Sequence, residues 1–265
     1  MIQLFPSRTV AIDLFGFPVH WYGLLYLLAF IIAWFLLPFL QRKRNLQLSR
    51  DEWAGILSAA VIGVIVGGRL GYVLFYAPLY YLQHPLDIFA VWNGGMASHG
   101  GFIGVAIALW IVLRKRGLDD LLTIADIVVI PVAIGLGLGR IGNFINQELY
   151  GTVTTLPWGM YFPGAVGKRH PIQFYDFGLQ MINALLLYVH LTRVQPVRPG
   201  RTMVLFLFLY GFIRFFIEFI REQNGLYYTF AHITLSEGQW LTIPLLLIAA
   251  LLWWWTGRRK LKMGN

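Results

Sequence analysis

The sequence predicts an all-α integral membrane protein with seven transmembrane helices. The chain of 265 residues is 58% hydrophobic and only 12% charged, whereas ordinary soluble domains are about 25% charged. A helix needs about 20 apolar residues to cross a bilayer. Seven segments of about this length occur, at 19–40, 54–76, 96–113, 121–143, 173–192, 203–221 and 239–256. They predict one polytopic membrane domain of residues 1–265.

Basic residues alternate between the joining segments, and this alternation predicts the orientation. Arginine and lysine gather after the first, third, fifth and seventh predicted spans, whereas the intervening segments hold only Arg8, Lys168 and Arg169. Cytoplasmic loops of membrane proteins carry an excess of these residues. We therefore expect the N-terminus outside and the C-terminus in the cytoplasm, which agrees with an odd number of spans.

Composition and motifs exclude several classes of function. The net charge of +9 resides mainly in clusters between apolar spans, so we expect no nucleic-acid partner. The chain has no cysteine and only scattered histidines, so we expect no disulfide, no metal site and no cysteine nucleophile of its own. Glycines 137, 139 and 142 match G-x-G-x-x-G, but no β-strand precedes them, which excludes a dinucleotide site.

Two segments are predicted to lie at the outer surface. Residues 1–18 form a short segment with Asp13 and several aromatics, and we expect an interfacial arm there. Residues 147–172 form the longest loop and are rich in Gly, Pro and aromatics. A loop of this length is too short for an independent domain, so it predicts a small cap over the membrane.

The second span carries glycines at regular intervals of four. Gly63, Gly67 and Gly71 form a small-xxx-small face, which lets another helix approach closely. Arg69 lies among these glycines, deep enough to need a hydrogen-bond acceptor or an anionic ligand.

The stretch from Gly135 to Gly151, GLGLGRIGNFINQELYG, places polar groups at the end of an apolar run. An arginine at the centre of a membrane helix costs roughly 2.5–3.5 kcal/mol on insertion scales, so such a cluster indicates a functional site. The polar groups are Arg140, Asn143, Asn146, Gln147 and Glu148.

The predicted topology gathers further polar groups in the outer half of the membrane. Arginine presents a planar set of N–H donors that binds phosphate oxygens, so a phosphate-diester headgroup is the expected ligand. Steps of four, four and three predict one helical face for Tyr210, Arg214, Glu218 and Arg221. An alternative is that Arg214 and Glu218 simply neutralise each other, and that Arg140 and Glu148 do likewise across the helix end. The full set is Tyr22, His99, Arg140, Asn143, Asn146, Glu148, Tyr210, Arg214, Glu218 and Arg221.

His99 is the candidate general base. Its unperturbed pKa of about 6.5 would let it accept a proton near neutral pH. The alternative is a structural histidine. Ser98 directly precedes His99, and adjacent residues rarely make a nucleophile–base pair, so a Ser-His-Asp triad is not indicated.

These residues fall into motifs that match a known family. G-R-x-G-N-F-I-N-x-E-x-x-G occurs from Gly139 to Gly151, and supporting segments are HWYG at 20–23, GGRLGY at 67–72, GGMASHGG at 94–101, RHP at 169–171 and YGFIRFFIE at 210–218. Over nearly its whole length the chain closely resembles the prolipoprotein diacylglyceryl transferases of bacterial inner membranes. Gln147 stands where many members have glycine, and Ala97 and Ser98 stand where serine or phenylalanine can precede the histidine; we expect neither departure to matter.

The resemblance implies transfer of the diacylglyceryl group from phosphatidylglycerol to the lipobox cysteine thiol of a prolipoprotein. A thioether forms and glycerol phosphate leaves, which is the first step of lipoprotein maturation. The resemblance also implies the bacterial inner membrane and an active site that faces the periplasmic leaflet. We expect a monomer without a cofactor.

Residue roles follow from matching positions in the family motifs. Arg140 and Arg214 would hold the phosphate and stabilise charge on the leaving group, and His99 would take the thiol proton beside Tyr22. Alternatively, the field of the arginines alone would lower the thiol pKa. The other predicted lipid-binding residues are Asn143, Asn146, Glu148, Gly151, Tyr210, Glu218, Arg69 and Arg221.

Two other functions use the same residues differently. A transporter or flippase would conduct an anionic lipid or solute past the buried arginines, although the absence of an inverted repeat argues against it. The function of an intramembrane protease is not indicated, because the sequence offers no suitable serine or pair of aspartates.

Overall fold

A computed structural model describes residues 9–91, 94–194, 198–222, 227–230 and 233–258. The described part is mostly helical. Its helices are α1 (Trp21–Gln41), α2 (Arg50–Phe75), α3 (Pro78–Gln83), α4 (Ser98–Leu113), α5 (Leu118–Ile145), α6 (Ile172–Arg193), α7 (Arg201–Ile217) and α8 (Glu237–Arg258), with 3₁₀ turns at Arg42–Arg44 and Pro85–Phe89.

The prediction of an all-α fold is wrong in one respect, because two short antiparallel hairpins are present. Strands β1 (Val10–Leu14) and β2 (Phe17–His20) form the first, within the predicted interfacial arm. Phe15 and Gly16 turn that hairpin with φ of 55° and 87°, the left-handed conformation that two-residue hairpin loops use. Strands β3 (Tyr227–Phe230) and β4 (Ile233–Ser236) form the second.

Each predicted span corresponds to a helix, and four described helices are long and apolar enough to cross a membrane. These are Trp21–Arg44, Arg50–Phe75, Leu118–Ile145 and Gly238–Arg258, and Gly100–Leu113 is a shorter apolar helix. Helix α6 buries several polar side chains and α7 has only 17 residues. A multi-pass membrane protein is thus supported, while seven crossings and their direction stay predictions.

The chain divides into two compact units, Met1–Arg44 with Leu122–Asn265, and Asn45–Leu121. In the second unit α2 packs on α4 through glycines, as the four-residue spacing predicted. A Cβ atom added at Gly63 or Gly67 would overlap the backbone of Gly104, and one at Gly71 would overlap that of Gly100. The two backbones therefore touch directly, an approach that only glycine permits.

In the first unit a buried carboxylate joins three segments. Asp126 of α5 is fully buried and accepts hydrogen bonds of 2.9 and 2.8 Å from the backbone N–H groups of Gly200 and Met203. Arg44 lies 3.4 Å from the same carboxylate. Asp126 therefore satisfies amides at the start of α7 that have no partner within the helix, and it fixes the end of α1 against α5.

Candidate functional site

The polar end of α5 owes its shape to residues just beyond the helix. After Ile145 the chain reverses, and the Glu148 N–H donates 3.0 Å back to the Asn143 carbonyl. Gln147 and Leu149 take φ values of 58° and 56°, a left-handed conformation that side chains disfavour. The reversal turns the Glu148 side chain back toward the last turn of α5.

Tyr22, Asn143 and Glu148 form a hydrogen-bonded triangle. The Tyr22 hydroxyl donates 2.6 Å to Glu148 Oε1. Asn143 Nδ2 donates 3.0 Å to the same oxygen and also donates to the Tyr22 hydroxyl. A Cβ at Gly142 would strike the Tyr22 ring, so the glycine allows α1 to approach α5. The structure thus brings together three predicted site residues from two helices and a loop.

Arg140 does not pair with Glu148. Its Nε atom lies 2.6 Å from Oδ2 of Asp176 on α6, and its Nη1 donates 3.2 Å to Asn143 Oδ1. Arg140 therefore connects the triangle of Tyr22, Asn143 and Glu148 to the first turns of α6.

Two further arginines share one carboxylate. Arg214 Nη2 lies 2.9 Å from Glu218 Oε2 and Arg221 Nη1 lies 3.7 Å from the same oxygen, so the predicted pairing of Arg214 with Glu218 forms. The prediction of one helical face through Arg221 is wrong. Helix α7 ends at Ile217 with Glu218 as its C-cap, and Arg221 belongs to an isolated β-bridge with Gly151.

The three arginines open onto one small cavity, which we call the arginine cavity. The side chains of Arg140, Arg214 and Arg221 are 25%, 21% and 22% exposed, whereas Asp176 and Glu218 are 7% and 4% exposed. The space is about 10 Å³, room for about one water molecule or hydroxyl group, so a larger ligand must lie at its opening against the exposed parts of the three arginines. The arginine cavity is lined by Arg140, Asn143, Leu149, Ile172, Gln173, Asp176, Arg214, Ile217 and Arg221.

This arrangement leaves an excess of positive charge facing the opening. Among the described residues, the three guanidinium groups pair with two carboxylates, a difference of one charge. The nearby Glu148 carboxylate is bonded to Tyr22 and Asn143 instead and does not line the cavity. The carboxylates are more deeply buried than the arginines, so they hold the guanidinium groups and leave part of each exposed. Guanidinium N–H groups bind phosphate and carboxylate oxygens in paired, charge-assisted hydrogen bonds. The arginine cavity can therefore accept a small anionic group.

The cap reaches the arginine cavity through Gly151. The Gly151 N–H donates 2.9 Å to the His170 carbonyl, and Gly151 is bridged to Arg221. A Cβ at Gly151 would lie within 2.7 Å of atoms of His170, Ile172 and Ile220. Gly151 thus serves close backbone packing that fixes the main chain of Arg221.

Sequence reasoning did not assign Gln173 or Asp176 to the site. Both lie in the first turns of α6, and both line the arginine cavity. A signal was present, because Gln173, Asp176, Gln180 and Asn183 recur at helical spacing and are all buried. Polar residues on one buried face of an apolar helix indicate a shared role.

In the second unit Arg69 is 4% exposed and donates to backbone carbonyls. Nε donates 2.8 Å to the Ile88 carbonyl, and the Nη atoms donate to the carbonyls of Asp87, Gly94 and Gly95. Backbone carbonyls of the segment before α4 thus supply the hydrogen-bond acceptors that were predicted for Arg69. A lipid-binding role for Arg69 stays a prediction. The hydrogen bond from Tyr80 of α3 to Asp87 raises the pKa of the Tyr80 phenol.

The other predicted site residues have the following surroundings. His99 lies in the first turn of α4, but its side chain is outside the described part of the chain. Tyr210 stacks on Phe206 one turn before Arg214, and Asn146 Oδ1 is buried without a hydrogen-bond partner among the described residues. Within that part of the chain no three histidines, aspartates or glutamates converge as a metal site would require.

Comparisons with known proteins agree over almost the entire chain. The family model described as prolipoprotein diacylglyceryl transferase matches residues 9–255. A phosphatidylglycerol–prolipoprotein diacylglyceryl transferase of Bordetella avium is 41% identical, with 98% of each chain covered. A protein with the same name from Cupriavidus pinatubonensis is 44% identical, with 96% of this chain and 93% of its own covered. Another from Geobacter sulfurreducens is also 44% identical, with 91% of this chain and 92% of its own covered.

Proposed function

This chain belongs to the prolipoprotein diacylglyceryl transferase family, and we propose that the arginine cavity holds the headgroup of its lipid substrate. The chain transfers the diacylglyceryl group of phosphatidylglycerol to prolipoproteins. The alternative of a transporter is not favoured, because the relatives share the name of a transferase.

One observation carries the assignment of the headgroup. Arg140, Arg214 and Arg221 expose parts of their guanidinium groups to one space, and the two carboxylates that hold them leave one positive charge in excess. A phosphate diester carries one negative charge, so it restores balance there. Positioned donors that meet developing charge stabilise a transition state in a water-poor site. Arg140 and Arg214 would thus act on the phosphate as the leaving group departs.

The proposed reaction is a substitution at carbon. The sulfur of the lipobox cysteine attacks the glycerol carbon that bears the phosphate, a C–S bond forms and the C–O bond breaks. The electron pair of that bond stays on glycerol phosphate, and the thiol proton passes to a base. The thiol belongs to the prolipoprotein, since this chain has no cysteine. We assign the proton to His99, as the family motif implies.

We further propose that seven helices cross a bacterial inner membrane, with the arginine cavity toward the periplasmic leaflet. The basic 3₁₀ turn Arg42–Arg44 follows α1, and Arg114–Arg116 follows α4, which supports cytoplasmic positions for both.

The absence of cysteine gives a direct test of this topology. Single cysteines at the exposed positions Thr155 and Lys115 would be treated with a membrane-impermeant maleimide in cells whose inner membrane is sealed. We expect Thr155→Cys to react at once and Lys115→Cys to react only after the membrane is broken. The reverse order would contradict the orientation.

The function itself is tested with purified protein, phosphatidylglycerol and a lipobox peptide. We expect the peptide to gain the mass of one diacylglyceryl group and Arg140→Ala to lower this rate at least about 100-fold, which corresponds to about 2.7 kcal/mol of transition-state stabilisation. Arg116→Ala is the control, because Arg116 pairs with Glu52 far along the chain from the arginine cavity residues. If the peptide gains no mass while lipid moves between leaflets, the protein is a transporter.

A stable variant is needed to interpret that loss. Arg140→Ala protein should be extracted in normal amount with an unfolding midpoint close to that of the parent. If it disappears from the membrane instead, Arg140 is structural and the headgroup assignment fails.

A further inference from the structure

Gln173 holds its side-chain amide in a fixed orientation. The residue is 1% exposed, and Nε2 donates a hydrogen bond of 2.8 Å to the backbone carbonyl of Glu148. A carbonyl oxygen can only accept, so the nitrogen must face Glu148 and the oxygen Oε1 must face elsewhere. The usual ambiguity between the two ends of an amide is therefore removed.

The oxygen of that amide is left without a donor. Oε1 of Gln173 is buried and has no hydrogen-bond partner among the described residues. Native proteins leave few buried polar groups unpaired, and each such group requires an explanation. Gln173 lines the arginine cavity, so a ligand in that cavity can supply the missing donor.

The surrounding charges restrict the chemistry of this donor. The three arginines that share the arginine cavity attract an anion, and a phosphate oxygen cannot donate to a carbonyl. An ammonium donor would be repelled by the same arginines. A hydroxyl group is neutral and can donate to Oε1 while a phosphate beside it binds the arginines.

We propose that Gln173 is a specificity-determining residue whose Oε1 accepts a hydrogen bond from a hydroxyl of the lipid headgroup. The proposal rests on the proposed function, because it places a phospholipid in the arginine cavity. It predicts preference for an anionic phospholipid with a hydroxylated headgroup over one with an alkyl headgroup of equal charge. A site built to bind a hydroxyl discriminates strongly against an analogue that lacks it, because its own polar group is then unpaired.

The test compares two lipids that differ only in hydroxyl groups. Phosphatidylglycerol and phosphatidylpropanol, with the same acyl chains, would each be given to the purified protein with a lipobox peptide. We expect the parent protein to favour phosphatidylglycerol about tenfold or more in kcat/KM. In Gln173→Met this ratio should fall toward one, whereas any loss caused by the missing hydrogen bond to Glu148 should affect both lipids equally and leave the ratio unchanged.

A matched variant separates this role from general loss of a buried amide. Asn183 lies on the same helix, is equally buried and also has an oxygen without a hydrogen-bond partner in the described part of the chain, but it does not line the arginine cavity. Asn183→Leu should therefore keep the lipid ratio of the parent. If Gln173→Met does not fold, Gln173→Asn shortens the side chain and moves its amide oxygen, so it should also lower the ratio.

Two results would overturn the inference. One is an unchanged lipid ratio in the folded Gln173 variant. The other is a parallel loss with both lipids, which would show that Gln173 acts only by holding the Glu148 loop. A parent protein that transfers from neither lipid would instead refute the proposed function, so the two failures are distinguishable.

Discussion

Asp176 Oδ2 lies 2.6 Å from Arg140 Nε, and the carboxylate is the more deeply buried of the two groups. Because the Asp176 carboxylate is buried and Arg140 is the more exposed partner, the ion pair fixes the orientation of the Arg140 guanidinium group. The remaining nitrogens of Arg140 are then turned toward Asn143 and the arginine cavity.

Asp176→Asn tests whether Asp176 acts by orienting Arg140 or by changing the attraction of the site for the lipid. The substitution keeps the shape but removes the charge that fixes Arg140, so we expect kcat to fall about tenfold, or about 1.4 kcal/mol. Because the substitution removes a negative charge beside the arginine cavity, it should not weaken binding of an anionic lipid, and KM should not rise. Steady-state kinetics check this, with Glu52→Gln as a control at an exposed ion pair. A rise in KM at unchanged kcat would contradict it.

Gly238→Ala should displace the carboxylate shared by two arginines. A Cβ at Gly238 would lie 2.8–3.1 Å from the carboxyl atoms of Glu218, which holds Arg214 and Arg221. We expect transfer to fall about tenfold or more, since a small misplacement of catalytic groups is costly. Gly178→Ala is the control, because nothing lies near its added methyl group. Equal activity of the two variants would show that Glu218 adjusts freely.

Gly151→Ala should open the cap at its contact with the chain beyond α7. The added methyl group would overlap His170, Ile172 and the Ile220 carbonyl, so the bridge to Arg221 must shift. We expect a large loss of transfer and faster proteolysis within residues 152–170. Gly139→Ala, which meets no neighbour, should leave proteolysis unchanged. Parent-like cleavage in Gly151→Ala would contradict the packing role.

Gln147→Gly should stabilise the protein. Gln147 adopts φ of 58°, which costs a side-chain-bearing residue roughly 1–2 kcal/mol, and its Oε1 is buried without a partner among the described residues. Glycine removes both penalties, although it adds entropy to the unfolded chain. We expect a gain of roughly 0.5–1 kcal/mol, seen as a higher thermal unfolding midpoint in detergent. A lower midpoint would show that the glutamine side chain stabilises the reversal.

His99→Gln should produce a loss of activity that depends on pH. Without a base, the reaction relies on thiolate already present, and a free thiol has a pKa of about 8.5. We expect the deficit to be about 100-fold near pH 7 and to shrink as pH rises toward 9. Rates on the lipobox peptide across this range check the prediction. A deficit that is the same at every pH would point away from general-base catalysis.

The sequence predicted most helices because apolar runs, glycine spacing and charge clusters are local properties. It correctly indicated that Arg140, Asn143 and Glu148 lie near one another, since they are close in the chain. It did not identify Asp176 as the partner of Arg140, because the two residues lie on different helices and nothing local specifies which acid approaches. The close contact of Gly151 with Ile172 and Ile220 escaped prediction for the same reason.

Helix ends were the weakest predictions. The spacing of Arg214, Glu218 and Arg221 fits one helical face, yet α7 stops at Ile217. Beyond it the chain pairs with the cap, through the hydrogen bond from the Thr152 N–H to the Ile220 carbonyl. A competing tertiary partner for the backbone therefore ended the helix, and periodicity alone carries no information about such a partner.

The two compact units differ in how they arise during biosynthesis. Residues 45–121 are consecutive, so α2 and α4 can join as soon as both leave the ribosome, whereas α1 belongs with segments made after residue 121. Tyr22 and Glu148 are 126 positions apart, an interval of about 6–25 s at roughly 5–20 residues per second. Helix α1 must therefore remain in the bilayer, without the hydrogen bond from Tyr22 to Glu148, until the ribosome has synthesised α5 and the residues that follow it.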